Sequence, residues 1–209
     1  RFSLPDRLEC WISSSCDTGP HRGSGSGPAV GAGCPAAEHR PAPPSQAASP
    51  CWRTWPVLRW LQRTRTPQDI ATSWTTLSRD VSVFSAAVGV DPGRSTPELL
   101  QGMEAFMALV DQGCNALKAL MRRPRPYLSH ADLTPCLPPE SGFSFPSGHS
   151  SWYEAASLLL SDLLPERRER LLQLGAYGGA NRVLCGVHDP SDVLAGQRFA
   201  RAAVAQILA

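Results

Sequence analysis

The sequence predicts an all-α fold over residues 66–209, preceded by a low-complexity segment over residues 1–65. Three observations lead to this fold class. Several segments space their apolar residues by three and four, which places them along one face of a helix. A cap followed by a proline, typical of a helix start, precedes these segments. No window alternates apolar and polar residues with the period of two that a half-buried strand shows.

The N-terminal segment is rich in small residues and poor in large apolar ones. Of the 40 residues from Ile12 to Cys51, 27 are Pro, Gly, Ser or Ala. Such a segment cannot bury enough apolar surface to offset the entropy lost on ordering, so we expect it to be disordered. Residues 52–65 contain three tryptophans without a clean period, which fits either a short helix or more of the tail. We therefore place the domain boundary near Arg65.

Two similar helix starts open the helical domain. Thr66-Pro67 supplies an N-cap followed by a first-turn proline, and Thr96-Pro97 repeats the pattern. The first helix is expected to run to Gly89, and the second to be stopped by Pro124. The apolar stripe of the first helix is Ile70, Trp74, Leu77, Val81, Phe84 and Val88, and that of the second is Leu99, Leu100, Met103, Phe106, Met107, Val110 and Leu117.

Three more helices follow a loop that is rich in proline. The third is expected to begin at Pro146-Ser147-Gly148 and to continue to Leu164, and Pro165-Glu166 opens a fourth that reaches about Leu184. Ser191-Asp192 caps a fifth, whose apolar residues are Val193, Leu194, Phe199, Ala203, Val204 and Ile207. The sequence thus predicts five helices in this domain.

Composition and charge argue against several classes of function. A formal charge of +2 and a pI of about 8.3 do not fit a protein that coats nucleic acid, so no nucleic-acid partner is expected. No window approaches the roughly 18 uncharged apolar residues that a spanning helix needs, and no secretory signal is visible. Seven cysteines without a Cys-x-x-Cys pair argue against a zinc ribbon or a thioredoxin-like site.

Three short segments carry residues suited to binding and transferring phosphate. Lys118-x6-Arg125-Pro126 places two cations at a helix end and in the loop after it. Pro146-Ser147-Gly148-His149 offers free N–H groups and a hydroxyl at a helix start. Arg182-x5-His188-x3-Asp192 sets a carboxylate one helical turn beyond an imidazole. Each segment alone is explained at least as well by helix capping or surface charge, but together they supply what metal-free phosphoryl transfer uses.

In this order and spacing, the three segments resemble the signature of the type 2 phosphatidic acid phosphatase superfamily. Over about residues 66–209 the chain resembles the soluble bacterial class A nonspecific acid phosphatases. The neighbouring stretches Phe84–Gly89 and Ser191–Val193 agree with that resemblance. It implies an all-helical bundle of the class A acid phosphatase and vanadium haloperoxidase type.

The resemblance also implies a metal-independent acid phosphatase that passes through a phosphohistidine. His188 would attack phosphorus, Asp192 would orient it, and His149 would protonate the leaving oxygen and then activate water. Because His149 must begin protonated and His188 neutral, an optimum below neutral pH is expected. No metal or other cofactor is implied. The phosphoryl oxygens of a small phosphomonoester would be held by Lys118, Arg125, Ser147, Gly148 and Arg182.

Cellular context follows from the same resemblance. Cys136 and Cys185 lie where class A relatives often carry cysteines, which implies a disulfide suited to an oxidising compartment. The alternative for Cys185 is a small buried apolar side chain. The resemblance further implies a periplasmic or secreted location, and a homo-oligomer is one expectation because class A relatives commonly associate.

The sequence departs from the family pattern in two places. Asn181 stands where the family usually has serine, a change between two small polar residues. Residues 1–65 do not resemble the upstream helices of the class A proteins, which is the pattern expected of a frameshifted or mis-predicted region. A truncated or non-functional homologue is therefore one alternative to a working enzyme.

Two other enzyme classes remain open at this point. A vanadate-dependent haloperoxidase would hold vanadate through His188, but the 32 residues between His149 and Arg182 favour the phosphatases. A metal phosphohydrolase is suggested by the dipeptide His188-Asp189, but it would need further His and Asp ligands.

Overall fold

Every regular element between residues 55 and 208, which the computed structural model describes, is helical. The all-α prediction is therefore confirmed. The disorder expected up to Cys51 lies outside the described residues and stays a prediction. Two short 3₁₀ turns, Val81–Phe84 and Pro165–Arg167, accompany the α-helices, which are α1 (Trp55–Thr64), α2 (Pro67–Thr75), α3 (Ser85–Val88), α4 (Pro92–Ser95), α5 (Pro97–Met121), α6 (Pro126–Ser129), α7 (Gly148–Leu163), α8 (Arg168–Leu184) and α9 (Pro190–Ile207).

Helix α1 answers the question left open for residues 52–65, because residues 55–64 form a short helix. Leu58 is buried, and Gln62 ties α1 to the loop after α6 by donating to Asp132 O at 2.9 Å and accepting from Thr134 N at 2.6 Å. Arg65 donates to Thr134 O at 2.7 Å. The helical unit therefore includes residues that precede Arg65.

The single helix expected from Thr66 to Gly89 is wrong. Helix α2 ends at Thr75, and a new start follows at Asp80, whose carboxylate accepts from Ser82 N at 2.7 Å. The Thr76 hydroxyl donates back to Ser73 O at 3.0 Å at the end of α2. The apolar stripe continues through this break, so the spacing of apolar residues could not reveal it. The break turns the carbonyl groups of Thr76 and Leu77 to other parts of the chain.

The predicted helix starts at α2 and α5 are confirmed, although Thr96 does not cap α5 through its side chain, and the start of α9 differs. Thr66 and Asp69 form a reciprocal capping box, with Asp69 N to Thr66 Oγ1 at 3.2 Å and Thr66 N to Asp69 Oδ2 at 2.7 Å. The Thr96 side chain does not cap α5 and donates to Pro92 O instead. Helix α9 is capped by Asp189, so Asp192 lies in its first turn and not at its cap.

Helix α7 is the central element, since it packs against α8, α9 and α5. Glycines on the neighbouring helices permit the close approach. A Cβ on Gly178 of α8 would lie 2.2 Å from Cγ of Tyr153, and one on Gly196 of α9 would lie 2.6 Å from Ser147 O. The N-terminus of α7, where the second sequence motif lies, is thereby enclosed by α8 and α9. Within residues 55–208, no helix has the length and apolar character needed to cross a bilayer.

Candidate active site

The three motif segments meet at the N-terminus of α7. Lys118, in the last turn of α5, donates from Nζ to Phe143 O at 2.6 Å and to Ser144 O at 3.3 Å. Its Cε lies 3.8 Å from the point where a Cβ on Gly148 would be. Ser147 N donates to Asp192 O at 2.9 Å, which joins the second motif to the third. The fold therefore assembles the segments that are separate in the sequence.

His188 and Asp192 form a fully buried pair at the start of α9. The His188 Nδ1 atom lies 3.2 Å from Asp192 Oδ2, and Nε2 lies 2.9 Å from Nη1 of Arg125. Because a guanidinium can only donate, Nε2 must carry the lone pair, which assigns the proton to Nδ1 facing the carboxylate. Burial, with a further contribution from the charge of Arg125, lowers the pKa of His188 to about 4. The neutral ring thus presents an unprotonated Nε2.

Asp192 is held by more groups than the sequence predicted. Its Oδ1 accepts from Arg123 Nη1 at 2.7 Å, while Oδ2 accepts from the Ser144 hydroxyl and from Asp189 N at 3.0 Å. Burial alone would raise the pKa of Asp192, but the hydrogen bond and charge of His188 and the charge of Arg123 outweigh it, so the pKa is lowered. The carboxylate therefore stays ionised against the imidazole.

Arg125 is buried and uses its whole guanidinium. Nε donates to Gly142 O at 3.0 Å, and Nη1 donates to Val187 O at 3.0 Å in addition to His188. Nη2 donates to Glu140 Oε2 at 2.5 Å. A buried cation needs partners of this kind because its desolvation is otherwise costly. The predicted phosphate ligand is thus rigidly placed beside Nε2 of His188.

Arg182 is fully buried, at 0% exposed, and only partly satisfied. Nη2 donates to Thr76 O at 2.5 Å, whereas Nε and Nη1 contact no acceptor among the described residues. Burial lowers the pKa of Arg182 to about 10. Unpaired buried N–H groups are expensive, so a guanidinium in this condition is suited to receive an anion. Neighbouring Asn181, at the family's usual serine position, donates to Thr76 Oγ1 at 2.9 Å.

His149 lies in the first turn of α7 with its two nitrogens in different surroundings. Nε2 donates to Leu77 O at 2.8 Å, so Nδ1 is the atom on the side of Glu140, 3.9 Å from Oε1. Burial and the charge of Arg182 lower the pKa of His149 to about 3. With these neighbours the imidazole is neutral at mildly acidic pH, whereas the acid role implied by the resemblance needs it protonated. A phosphate dianion would raise this pKa by offsetting the charge of Arg182.

Ser147 and Gly148 form the start of α7. Ser147 is buried, and its Oγ accepts from Ser150 N at 3.3 Å, so this hydroxyl caps the helix. Gly148 is the first residue of the helix, where backbone N–H groups have no helical acceptor and favour an anion. The backbone at this position therefore matches the predicted phosphate ligand more directly than the Ser147 hydroxyl does.

Four residues of the site had no signal in the sequence. Ser144 and Arg123 hold Asp192, and Glu140 pairs with Arg125. Arg79 pairs with Asp111 at 2.5 Å, and its Nη1 lies 3.9 Å from the point where a Cβ on Gly148 would be. These are single polar residues in loops and turns. Arg123 lies inside the first motif and Ser144 just before the second, but neither motif assigns a role to these positions. Only their contacts across the fold identify them.

Glu140 stays ionised in these surroundings. Burial would raise the pKa of its carboxyl group, but the charge of Arg125, together with the hydrogen bond that it donates, favours the ionised form, and the pKa is lowered. Its Oε2 contacts the cation of the first motif, and its Oε1 faces the imidazole of the second. A carboxylate therefore lies among the groups that the sequence assigns to phosphate.

A disulfide joins Cys136 to Cys185, whose Cα atoms are 4.7 Å apart. Cys136 N also donates to Cys185 O at 3.1 Å. The bonded pair packs with Leu137 and Val187 in a small apolar cluster. It thereby links the loop that carries Glu140 to the segment that leads into His188. As for the metal alternative, residues 55–208 hold no group of three His, Cys, Asp or Glu side chains placed to bind a metal ion.

Similar proteins include phosphatases with different named substrates. The non-specific acid phosphatase of Salmonella typhimurium is 32% identical over 123 residues, which are 55% of this chain and 48% of that protein. The lipid A 1-phosphatase of Rhizobium johnstonii is 36% identical over 104 residues, 47% of this chain and 43% of that one. The chain thus spans about half the length of the curated relatives it matches.

The fold comparison agrees with the sequence comparisons. The crystal structure of a transmembrane PAP2-type phosphatidylglycerolphosphate phosphatase from Bacillus subtilis superposes with a TM-score of 0.56 at 20% identity, over 78% of this chain and 86% of that one. At this identity the likeness concerns the fold. The match to the family described as PAP2 superfamily covers residues 102–208, just over half of the chain, and includes all three motifs. On this evidence the chain belongs to the PAP2 superfamily.

Proposed function

We propose that this protein is a metal-independent phosphatase that hydrolyses phosphomonoesters through a phosphohistidine at His188. The observation that carries the proposal is the buried imidazole with an unprotonated Nε2, backed by the ionised Asp192 and bordered by the cation of Arg125. Similarity to the Salmonella acid phosphatase and membership of the PAP2 superfamily support the same activity.

The first step is attack of His188 Nε2 on phosphorus. A P–N bond forms as the P–O bond to the leaving group breaks, and Asp192 stabilises the positive charge that develops on the ring. In the free site, Arg125 Nη1 donates a hydrogen bond to Nε2, which occupies the lone pair. This N–H must turn to a phosphoryl oxygen as its new acceptor before Nε2 can attack. The guanidinium of Arg125 therefore orients His188 before substrate binds and the phosphoryl group afterwards.

Charge on the phosphoryl oxygens would be balanced by donors from three parts of the site. The unpaired Nε and Nη1 of Arg182 supply two donors, and the first turn of α7 supplies backbone N–H groups. Lys118 adds a point charge beside Gly148. Each preorganised donor of this kind is typically worth about 10²–10³ in rate.

His149 serves the leaving group through Nδ1, because Nε2 is engaged with Leu77 O. It gives a proton to the leaving oxygen and, in the second step, takes one from the water that breaks the P–N bond. Its pKa of about 3 has to rise for the first role. Substrate binding does this, since the dianion counters the neighbouring charge of Arg182, and the protonated ring is then available for transfer.

A second candidate is a lipid phosphate substrate, and a surface feature favours it. Leu120, within the first motif, and Leu128, two residues after it, are 63% and 71% exposed. Large apolar side chains in such positions are suited to contact an acyl chain. The Rhizobium relative is a lipid A 1-phosphatase, which is consistent with this candidate. Comparing an aryl phosphate with phosphatidic acid in detergent micelles separates the two: higher kcat/KM for the lipid would favour it.

The test of the catalytic proposal is hydrolysis of p-nitrophenyl phosphate from pH 4 to 8 in the presence of EDTA. We expect activity that resists the chelator and is lost in His188→Asn. A base-quenched reaction with radiolabelled substrate should trap label on His188, since phosphohistidine survives base. The control is His130→Asn, which removes an imidazole that contacts Trp55 outside the site, with ring centroids 5.5 Å apart. Full activity in His188→Asn would contradict the proposal.

We also propose a periplasmic or secreted location, which the disulfide between Cys136 and Cys185 supports because such bonds persist in oxidising compartments. Fractionation of the native cells tests it, with recovery in the cytosol as the contrary result. A homo-oligomer remains an expectation from the class A resemblance, and sedimentation velocity would measure it.

A further inference from the structure

Glu140 occupies the position of a ligand within the proposed phosphate site. Its Oε2 accepts from Arg125 Nη2 at 2.5 Å, and its Oε1 lies 3.9 Å from Nδ1 of His149. The two oxygens of one carboxylate therefore approach a predicted phosphate ligand and the proposed general acid. During transfer from the substrate to His188, a phosphoryl group would need the same two neighbours, Arg125 and His149.

The carboxylate is an incomplete substitute for phosphate. It satisfies Arg125 but leaves Nε and Nη1 of Arg182 without an acceptor, although that guanidinium is fully buried. A phosphoryl group has three terminal oxygens and up to two negative charges, so it can pair with both arginines. The larger number of charge-assisted hydrogen bonds favours the phosphoryl group over the carboxylate.

Glu140 can leave this position without any change in the backbone. Its backbone carbonyl accepts from the Tyr127 hydroxyl at 2.9 Å, and its N–H donates to the same oxygen at 3.1 Å, so the main chain is anchored. The side chain is 36% exposed and has water on one side. Rotation about its side-chain bonds is therefore sufficient to free Arg125.

We propose that the Glu140 carboxylate is a built-in competitor of the substrate, which holds the guanidinium of Arg125 and must withdraw before a phosphoryl group binds there. This inference rests on the proposed function, since it assumes that phosphate binds at Arg125 and Arg182. It makes Glu140 a determinant of phosphate affinity. The competition disfavours weak anions, which cannot displace the carboxylate, and selects for phosphate groups that also reach Arg182.

Isothermal titration calorimetry with inorganic phosphate at pH 7 and fixed salt tests this directly. Glu140→Gln should bind phosphate about tenfold more tightly than the wild type, the effect of losing one competing charge-assisted hydrogen bond. Glu140→Ala, which keeps no group that could reach Arg125, should also bind more tightly. The control for simple loss of negative charge is Glu166→Gln, a residue 64% exposed, whose phosphate affinity should match the wild type.

The outcomes separate this inference from the proposed function. If the wild type binds phosphate and both Glu140 variants bind it equally or more weakly, the carboxylate supports Arg125 and does not compete, and the inference is overturned. An equal gain in Glu166→Gln overturns it as well, because the effect would then be long-range charge. If neither the wild type nor any variant binds phosphate, the proposed anion site is wrong and the inference falls with it.

Discussion

Nη1 of Arg125 lies 2.9 Å from Nε2 of His188, so the residue proposed to bind phosphate and the proposed nucleophile contact each other directly. The contact identifies the lone pair on Nε2, because the guanidinium has only donors. It also restrains the ring from the side opposite Asp192. Attack then requires this one N–H to change acceptors, a small movement for a guanidinium whose Nε and Nη1 remain held by Gly142 O and Val187 O.

The Asp192 carboxylate should be needed to keep the proton on Nδ1 of His188. In Asp192→Asn, an amide N–H can donate to Nδ1, which moves the ring proton to Nε2 and removes the attacking lone pair. We expect kcat/KM for p-nitrophenyl phosphate to fall by about 10³–10⁴, as tautomer errors do in related dyads. Asp162→Asn, at an exposed ion pair with Arg168, is the control. A loss smaller than about tenfold would argue against this role.

The two buried arginines should differ in their effects on stability. Arg182→Gln removes two unpaired N–H groups together with the donor of Thr76 O, and the relief from the first offsets the loss of the second. The free energy of unfolding should therefore change by less than about 1 kcal/mol while kcat/KM falls by about 10²–10³. Arg125→Gln removes the donors of Gly142 O and Val187 O and should cost about 1–3 kcal/mol. Urea denaturation measures both variants. If Arg182→Gln lost more stability than Arg125→Gln, the unpaired N–H groups of Arg182 would not destabilise the folded protein.

The contact between α7 and α8 should not tolerate a methyl group at Gly178. A Cβ there would lie 2.2 Å from Cγ of Tyr153, which is held at the helix interface, so Gly178→Ala should destabilise by about 1–3 kcal/mol. Gly102 on α5 provides the matched control, because a Cβ there meets nothing within 4 Å. Gly102→Ala should stabilise by about 0.5–1 kcal/mol through helix propensity. Equal effects in chemical denaturation would contradict the close packing.

Stability should fall as the pH drops from about 6.5 toward 5 because of the two site histidines. The folded-state pKa of His188 is lowered to about 4 and that of His149 to about 3, below the ordinary 6.5. The unfolded chain therefore binds more protons in this range, so the stability present above pH 6.5 is progressively lost below it. The pKa values of Glu140 and Asp192 are lowered as well, so the stability that these carboxylates contribute is lost only at a lower pH.

Thermal unfolding at pH 7, 6 and 5 measures this dependence. The double variant His149→Gln, His188→Gln should lose most of the slope, whereas His130→Gln should retain it. An unchanged slope in the double variant would mean that other groups cause the loss. A wild-type midpoint that is constant over the same range would contradict the lowered pKa values.

Much of the site was predictable because its residues form motifs of fixed spacing. Helix periodicity places Asp192 one turn from His188, and a serine-glycine pair at a helix start implies free backbone N–H groups. The structure differs where a single residue serves a distant partner. Glu140 pairs with Arg125 from a proline-rich loop, and Ser144 donates to Asp192 across 48 positions. Glu140 has no neighbour in the sequence that distinguishes it from an ordinary loop residue, and Ser144 lies just before the second motif but outside its pattern.

The sequence by itself determined the helical class, the helix starts at Pro67, Pro97 and Gly148, and the three segments that it assigns to phosphate, since these depend on local capping and on 3.6-residue periodicity. Only the tertiary structure decided the break after Thr75, the tautomer of His188 and the presence of a carboxylate among the cations. The reason is physical. The carbonyls of Thr76 and Leu77 accept from Arg182 and His149, residues more than 70 positions away, and contacts of that range leave no local pattern.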